Sequence, residues 1–236
     1  MVDVRGHVAG WSDVVCLGST SQHRPMPRIL LAALLLAGCA GSDQTTPPAA
    51  PSPSFFLTSV NPGNGADLGG LEGADAWCAT LADQAGLEVD GWVAYLSTTS
   101  VNARDRIGAG PWQNVAGVQI AASLDALHGQ NNLTKETQLN EKGEIVNGRG
   151  DTPNRHDILT GADLTGLAFA DDGTDHTCSD WTSSSPDGSA QVGHHDRQGG
   201  GANPTSWNSA HSSRGCTLEN LRGTGGDGLF YCMVAN

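Results

Sequence analysis

The sequence predicts an α+β domain of about 180 residues stapled by disulfides, and three observations predict it. Residues 72–85 carry the apolar period of a helix. Residues 55–60, 92–97 and 229–234 have the aromatic and β-branched content of strands. Cys78, Cys178, Cys216 and Cys232 form an even set, which in an exported chain implies two disulfides. Spacing alone leaves three pairings open, and no pair has the Cys-x-x-Cys spacing of a zinc or thiol-exchange motif.

In chain order, Phe55-Phe56-Leu57-Thr58-Ser59-Val60 reads as a short strand that stops at the turn-rich Asn61-Pro62-Gly63-Asn64-Gly65. Ala74, Trp77, Cys78, Leu81, Ala82 and Ala85 then recur at helical spacing, with Gly86 placed to end the helix. Trp92, Ala94 and Leu96 alternate with Val93, Tyr95 and Ser97, the pattern of a strand buried on both faces. Residues 101–111 read as a polar loop, and residues 112–126 mix both periods. From His128 to Asp180 the chain is rich in Gly, Asn, Asp and Thr, with apolar islands at Ile145-Val146, Ile158-Leu159 and residues 164–169. Loops of that length are functional or pinned by cross-links. Residues 187–204 read as a second glycine-rich loop, and residues 229–234 as a central strand.

Upstream of the domain, the apolar run Ile29 to Leu36 follows Arg28 and ends in Leu36-Ala37-Gly38-Cys39. A positive start, an apolar stretch too short to span a bilayer and small residues before the cut make a secretory signal. The run resembles bacterial lipoprotein precursors, which implies that residues 1–38 are removed and that Cys39 is acylated. Met26-Pro27-Arg28 makes a more ordinary start than Met1, so residues 1–25 read as an extension. Residues 39–54 contain four prolines and little to bury, which is the composition of a tether, and residues 55–236 form the domain. Ala40 in place of Asp after the acylated cysteine implies, by the same resemblance, delivery to the outer membrane of the cell envelope.

From Cys39 onward nine Lys and Arg face 23 Asp and Glu, a formal charge of −14. Such a surface repels polyanions, so nucleic acid and heparin-like chains are poor partners. Cations and neutral ligands are easier to accept.

Four motifs carry a resemblance for the domain. They are Gly69-Gly70-Leu71-Glu72-Gly73-Ala74-Asp75-Ala76-Trp77-Cys78, then Trp92 to Ser97, then Cys178-Ser179-Asp180-Trp181-Thr182, and Phe230-Tyr231-Cys232. In this order they resemble the endostatin domain of collagens, and also a bacterial lipoprotein family of unknown function with a C-type-lectin-like domain. The resemblance implies a C-type-lectin-like (endostatin-like) fold with a twisted, mostly antiparallel sheet, flanking helices and long loops. It also implies nested disulfides, Cys78 with Cys232 and Cys178 with Cys216. In a chain-entropy account, closing loops of about 154 and about 38 residues contributes roughly 4 to 5 kcal/mol each. Function carries over less well. The arginines used for heparin and the N-terminal zinc histidines have no counterpart here, and the calcium motifs of sugar-binding lectins are absent.

Candidate sites follow from chemistry. Asp171, Asp172 and Asp175, with Asp180 close behind, could supply oxygens to calcium, although the regular EF-hand spacing is missing and a solvated acidic turn is the plainer reading. His194-His195-Asp196 is the best transition-metal candidate, with His176 and His211 as helpers if the loops converge, although adjacent residues rarely ligate one ion together and a solvated loop is the plainer reading. Trp207, beside Asn208 and among polar residues, is the best ring for stacking on a sugar, whereas Trp181 beside a cysteine reads as core. Arg149-Gly150-Asp151 matches an integrin tripeptide that is cheap to meet by chance. No nucleophile elbow, Walker loop, His-Glu-x-x-His or Rossmann fingerprint occurs. The expected role is a lipid-anchored envelope module, not an enzyme, binding a carbohydrate, matrix or envelope ligand. A structural or adhesion lipoprotein that binds protein partners is the alternative, and a metal-dependent hydrolase ranks third.

Overall fold

The computed structural model describes residues 52–235. The leader, Cys39 and the tether through residue 51 lie outside the described residues. Within 52–235 no helix is long and apolar enough to cross a membrane.

The domain is mixed α/β, with two sheets, four helices and two disulfides. Its first strand, β1 (Phe55–Leu57), is followed by α1 (Gly70–Gln84) and β2 (Trp92–Ala94). A 3-10 turn, Ala103–Arg106, then precedes β3 (Trp112–Gln113), β4 (Gln119–Ala121) and α2 (Leu124–His128). The second half holds β5 (Asp157–Leu159), α3 (Cys178–Trp181), β6 (Gln191–His194), β7 (His211–Ser212), α4 (Leu218–Thr224) and β8 (Gly226–Val234).

The main sheet runs β1-β8-β5-β6-β7, and β2 also pairs with β8. Every pair in it is antiparallel except β5 with β8. Because alternate residues of a strand face opposite sides, β8 serves two cores. Phe230, Cys232 and Val234 pack with α1, Phe56 and Trp181, while Leu229, Tyr231 and Met233 pack with Phe55, Leu57, Trp112, Ile120 and Trp207. The helix α1 buries Ala74, Cys78, Leu81 and Ala82 on the first of these faces and ends at Ala85, followed by Gly86 at φ +69°. Asp75 ties it to its neighbours, accepting the Ala94 N–H at 2.8 Å and the Arg106 guanidinium at 2.6 Å. Cys78 bonds Cys232, joining α1 to β8 with Cα atoms 5.6 Å apart, and Cys178 bonds Cys216.

Two sequence expectations are corrected. The mixed segment 112–126 resolves into the β3–β4 pair and the start of α2, which Ser123 caps through the Ala126 N–H. The supposed loop 187–204 contains β6, an inner strand of the sheet. Gly193 concealed it. A Cβ at that position would run into the carbonyl of Trp207, so the strand needs the residue that argues most against a strand.

Candidate metal centre

At the β5-β6-β7 side of the sheet, register gathers histidines around one carboxylate. Asp157 pairs directly with His194 across β5 and β6, and His211 on β7 pairs with Val192, two residues before His194. His156 precedes Asp157. The ligand-type atoms of His156, Asp157 and His194 all lie within 4.8 Å of one another. Measured from Asp157 Oδ1, the Nε2 atoms of His156, His194 and His211 stand at 3.1, 3.3 and 3.5 Å.

The other nitrogen of each ring fixes the tautomer. Nδ1 of His156 lies 2.9 Å from the Gln198 carbonyl, Nδ1 of His194 2.8 Å from that of Pro204, and Nδ1 of His211 3.0 Å from that of Ser212. A carbonyl only accepts, so each Nδ1 carries the proton and donates it. In the neutral ring each Nε2 then presents a lone pair, and all three face Asp157. Neither Asp157 oxygen nor His194 Nε2 has a partner with hydrogen-bond geometry, although the atoms are near enough for one. The ligand atoms of Asp157, His156 and His194 are close enough together to share one ion, and His211 stands at the edge of that group. His194 is fully buried and Asp157 is 2% exposed. An ionised carboxylate left unpaired at such depth costs several kcal/mol, and a cation at the shared point offsets that cost.

Protons compete with an ion for the same Nε2 positions, since a protonated ring donates there to Asp157. Burial favours the neutral form of Asp157, yet His194, His211 and His156 hold its carboxyl below the ordinary aspartate range. His211 is raised chiefly by Asp157. Burial opposes charge on His156, but Asp196 and Asp157 outweigh it and raise that ring. Asp196 resists the same burial penalty through His156 and the N–H groups of Arg149 and Gln198, and it stays well below the ordinary range. Two carboxylates beside three imidazoles balance one divalent ion.

The rings fit closely into glycine-lined space. A Cβ at Gly199 would enter the His194 ring, one at Gly201 would meet His211 Cβ at 2.8 Å, and one at Gly225 would meet His156 Nε2 at 2.7 Å. Part of the glycine richness of the long loops therefore makes room for these side chains. Outside the cluster a cleft of about 390 Å³ is lined by His156, His211, Arg149, Asn154, Arg214 and Gly201, among others.

Of the residues the sequence singled out for a metal, His194 and His211 belong to this group, and neither lies on a solvated loop. His195 turns away, its Nε2 3.1 Å from the Asn147 carbonyl. His176 stacks on Phe169 and pairs with Asp172 elsewhere. His156 and Asp157 were not foreseen.

The four calcium candidates are not brought together. Asp171 accepts the Gly173 N–H, Asp172 the Thr174 N–H, and Asp175 the Thr177 and Ser179 N–H groups. Asp180 holds Thr99 through its N–H at 2.7 Å and its hydroxyl at 3.0 Å. Short carboxylates in tight turns are taken by nearby backbone donors, which spreads their oxygens. The stacking candidates are corrected as well. Trp207 is 3% exposed and packs between Tyr95 and Tyr231, and Asn208, 1% exposed, donates to the Asp163 carbonyl at 2.8 Å. Trp181 is core, as expected, with its indole N–H on the Ser97 carbonyl. In the integrin-like tripeptide, Asp151 is held by Lys135. No protein-family model matches this chain, and no curated protein matches it either.

Proposed function

We propose that the chain is a binding module of the bacterial cell envelope, anchored by acyl chains on Cys39, whose binding chemistry is a transition-metal centre. The ion is held by His156 and His194 through Nε2 and by the Asp157 carboxylate, with His211 beside them. One observation carries the reading: three imidazoles, each with Nδ1 committed to a carbonyl, aim Nε2 at a buried carboxylate that has no other partner. Two imidazole nitrogens and one carboxylate suit zinc, whereas calcium asks for six or more oxygens. Three protein ligands leave one position of a tetrahedral shell for a further donor.

The scaffold we propose is C-type-lectin-like. Its support is the nested disulfides, the helix beside a mostly antiparallel sheet and the long loops. The loops that the sequence assigned to a carbohydrate, matrix or envelope-protein ligand include those that meet at the cleft beside the centre.

The test is metal analysis of the full chain after zinc loading and dialysis. One zinc per chain is expected, with His194→Ala and Asp157→Asn each retaining little. Full retention by His194→Ala refutes the centre. The anchor is tested apart from it: Cys39→Ala should leave the chain unacylated and its leader uncleaved, and normal acylation of that variant sinks the anchor.

A further inference from the structure

Among the described residues there are nine basic side chains, and six of them pair with carboxylates: Arg104, Arg106, Lys135, Lys142, Arg155 and Arg222. Of the other three, Arg197 lies inside the fold, donating to the Leu133 and Thr205 carbonyls and to Asn131. The remaining two, Arg149 and Arg214, are exposed, have no ion-pair partner among the described residues, and line the same cleft.

In a domain with this excess of carboxylates, two unneutralised guanidinium groups in one cleft are a local reversal of sign. Arg214 is set in place by its hydrogen bond to the Gly223 carbonyl at 2.6 Å. The backbone of Arg149 is fixed by its N–H on Asp196 Oδ2 at 2.5 Å, which leaves the guanidinium unengaged. Asn154 lines the cleft too; its Oδ1 accepts the His156 N–H, so its amide nitrogen remains a donor. The inner wall is formed by His156, a proposed ligand, and by His211 beside the centre. A divalent ion behind them is balanced by Asp157 and Asp196, so the excess positive charge of the cleft is that of the two guanidinium groups. Guanidinium groups match oxyanions by paired N–H donors, and they do so best where other donors and a cation converge.

We propose that this cleft is an oxyanion site in which Arg149 and Arg214 grip a phosphate- or carboxylate-type group against the outer side of the metal centre. The assignment rests on the metal reading above. It narrows the ligand of this acidic module to one bearing a compact anionic group, such as the charged substituent of an envelope polymer.

The test is calorimetric titration of the zinc-loaded full chain with inorganic phosphate and, separately, with acetate, so that a tetrahedral and a planar group are told apart. Arg149→Ala/Arg214→Ala should keep zinc at the wild-type stoichiometry and weaken binding of the preferred anion roughly tenfold or more, as loss of charge-assisted hydrogen bonds requires. Undiminished binding by that variant overturns the site, and so does a zinc-loaded wild-type chain that binds neither anion at millimolar concentration. Arg149→Ala alone, whose side chain makes no hydrogen bond among the described residues, keeps the test valid if the double variant is unstable. A wild-type chain that retains no zinc refutes the metal centre and this assignment with it. The metal measurement reports that failure separately from a failed titration.

Discussion

Asp196 stands directly behind a proposed ligand. Its Oδ1 lies 3.5 Å from His156 Nδ1 and accepts the Gln198 N–H at 3.0 Å. A carboxylate in that position orients the imidazole and raises its basicity toward the ion. Asp196→Asn should therefore weaken zinc binding by about 10- to 100-fold with the fold intact, measured by competition with a chromogenic chelator. Wild-type affinity in that variant would remove Asp196 from the centre. At this scale the sequence was half legible. His194 and His211 stood out as candidate ligands, but His156 and Asp157 read as the polar edge of the Ile158-Leu159 island. Only the pairing of β5 with β6 reveals that Asp157 faces His194. A histidine and an aspartate immediately before a short buried strand were the available signal. Trp207 misled for the opposite reason. Its polar neighbours Ser206, Asn208 and Ser209 are themselves buried and bonded to one another, so they gave no sign of water.

The element α3 is a left-handed turn. Cys178, Ser179, Asp180 and Trp181 have φ of 49°, 55°, 55° and 66° in succession, a conformation that costs L-residues roughly 1–2 kcal/mol each. Thr177 caps it through the Asp180 N–H, Asp175 receives the Ser179 N–H, and the disulfide and the buried Trp181 ring hold its ends. Ser179→Gly removes the steric part of the strain while keeping every backbone bond. It should raise stability by about 0.5–1 kcal/mol in denaturant melts. A loss of similar size would mean that the turn is not strained at Ser179. No periodicity announces such a turn, because its conformation is imposed by tertiary anchors. The helix α1 and the strand β8 were readable for the converse reason, since α1 repeats its buried positions at helical spacing and β8 holds the unbroken apolar run 229–234. Short strands such as β5 and β7 repeat nothing, and their identity comes from their neighbours.

Over the whole domain, the proposed ion joins β5 and β6, where no disulfide reaches. Ligand that binds only the folded state stabilises it by mass action, by about 2.7 kcal/mol at a hundredfold excess over Kd. For a domain of this size that corresponds to a rise in Tm of roughly 5–11 °C. Chelation should accordingly lower the Tm of the oxidised protein by that amount, read by calorimetry, and restored zinc should return it. An unchanged Tm would mean that these strands hold without an ion. A different consequence follows from where β8 sits. It pairs with β1, β2 and β5 and receives Cys78 on Cys232, yet residues 226–234 are the last element along the described chain. A polypeptide emerging N-terminus first offers β1 and β2 no strand to pair with until residues 226–234 follow, although β3 with β4 and β5 with β6 can pair before then. Until residues 226–234 arrive the main sheet cannot close, so their docking is the step that commits the whole domain to its fold.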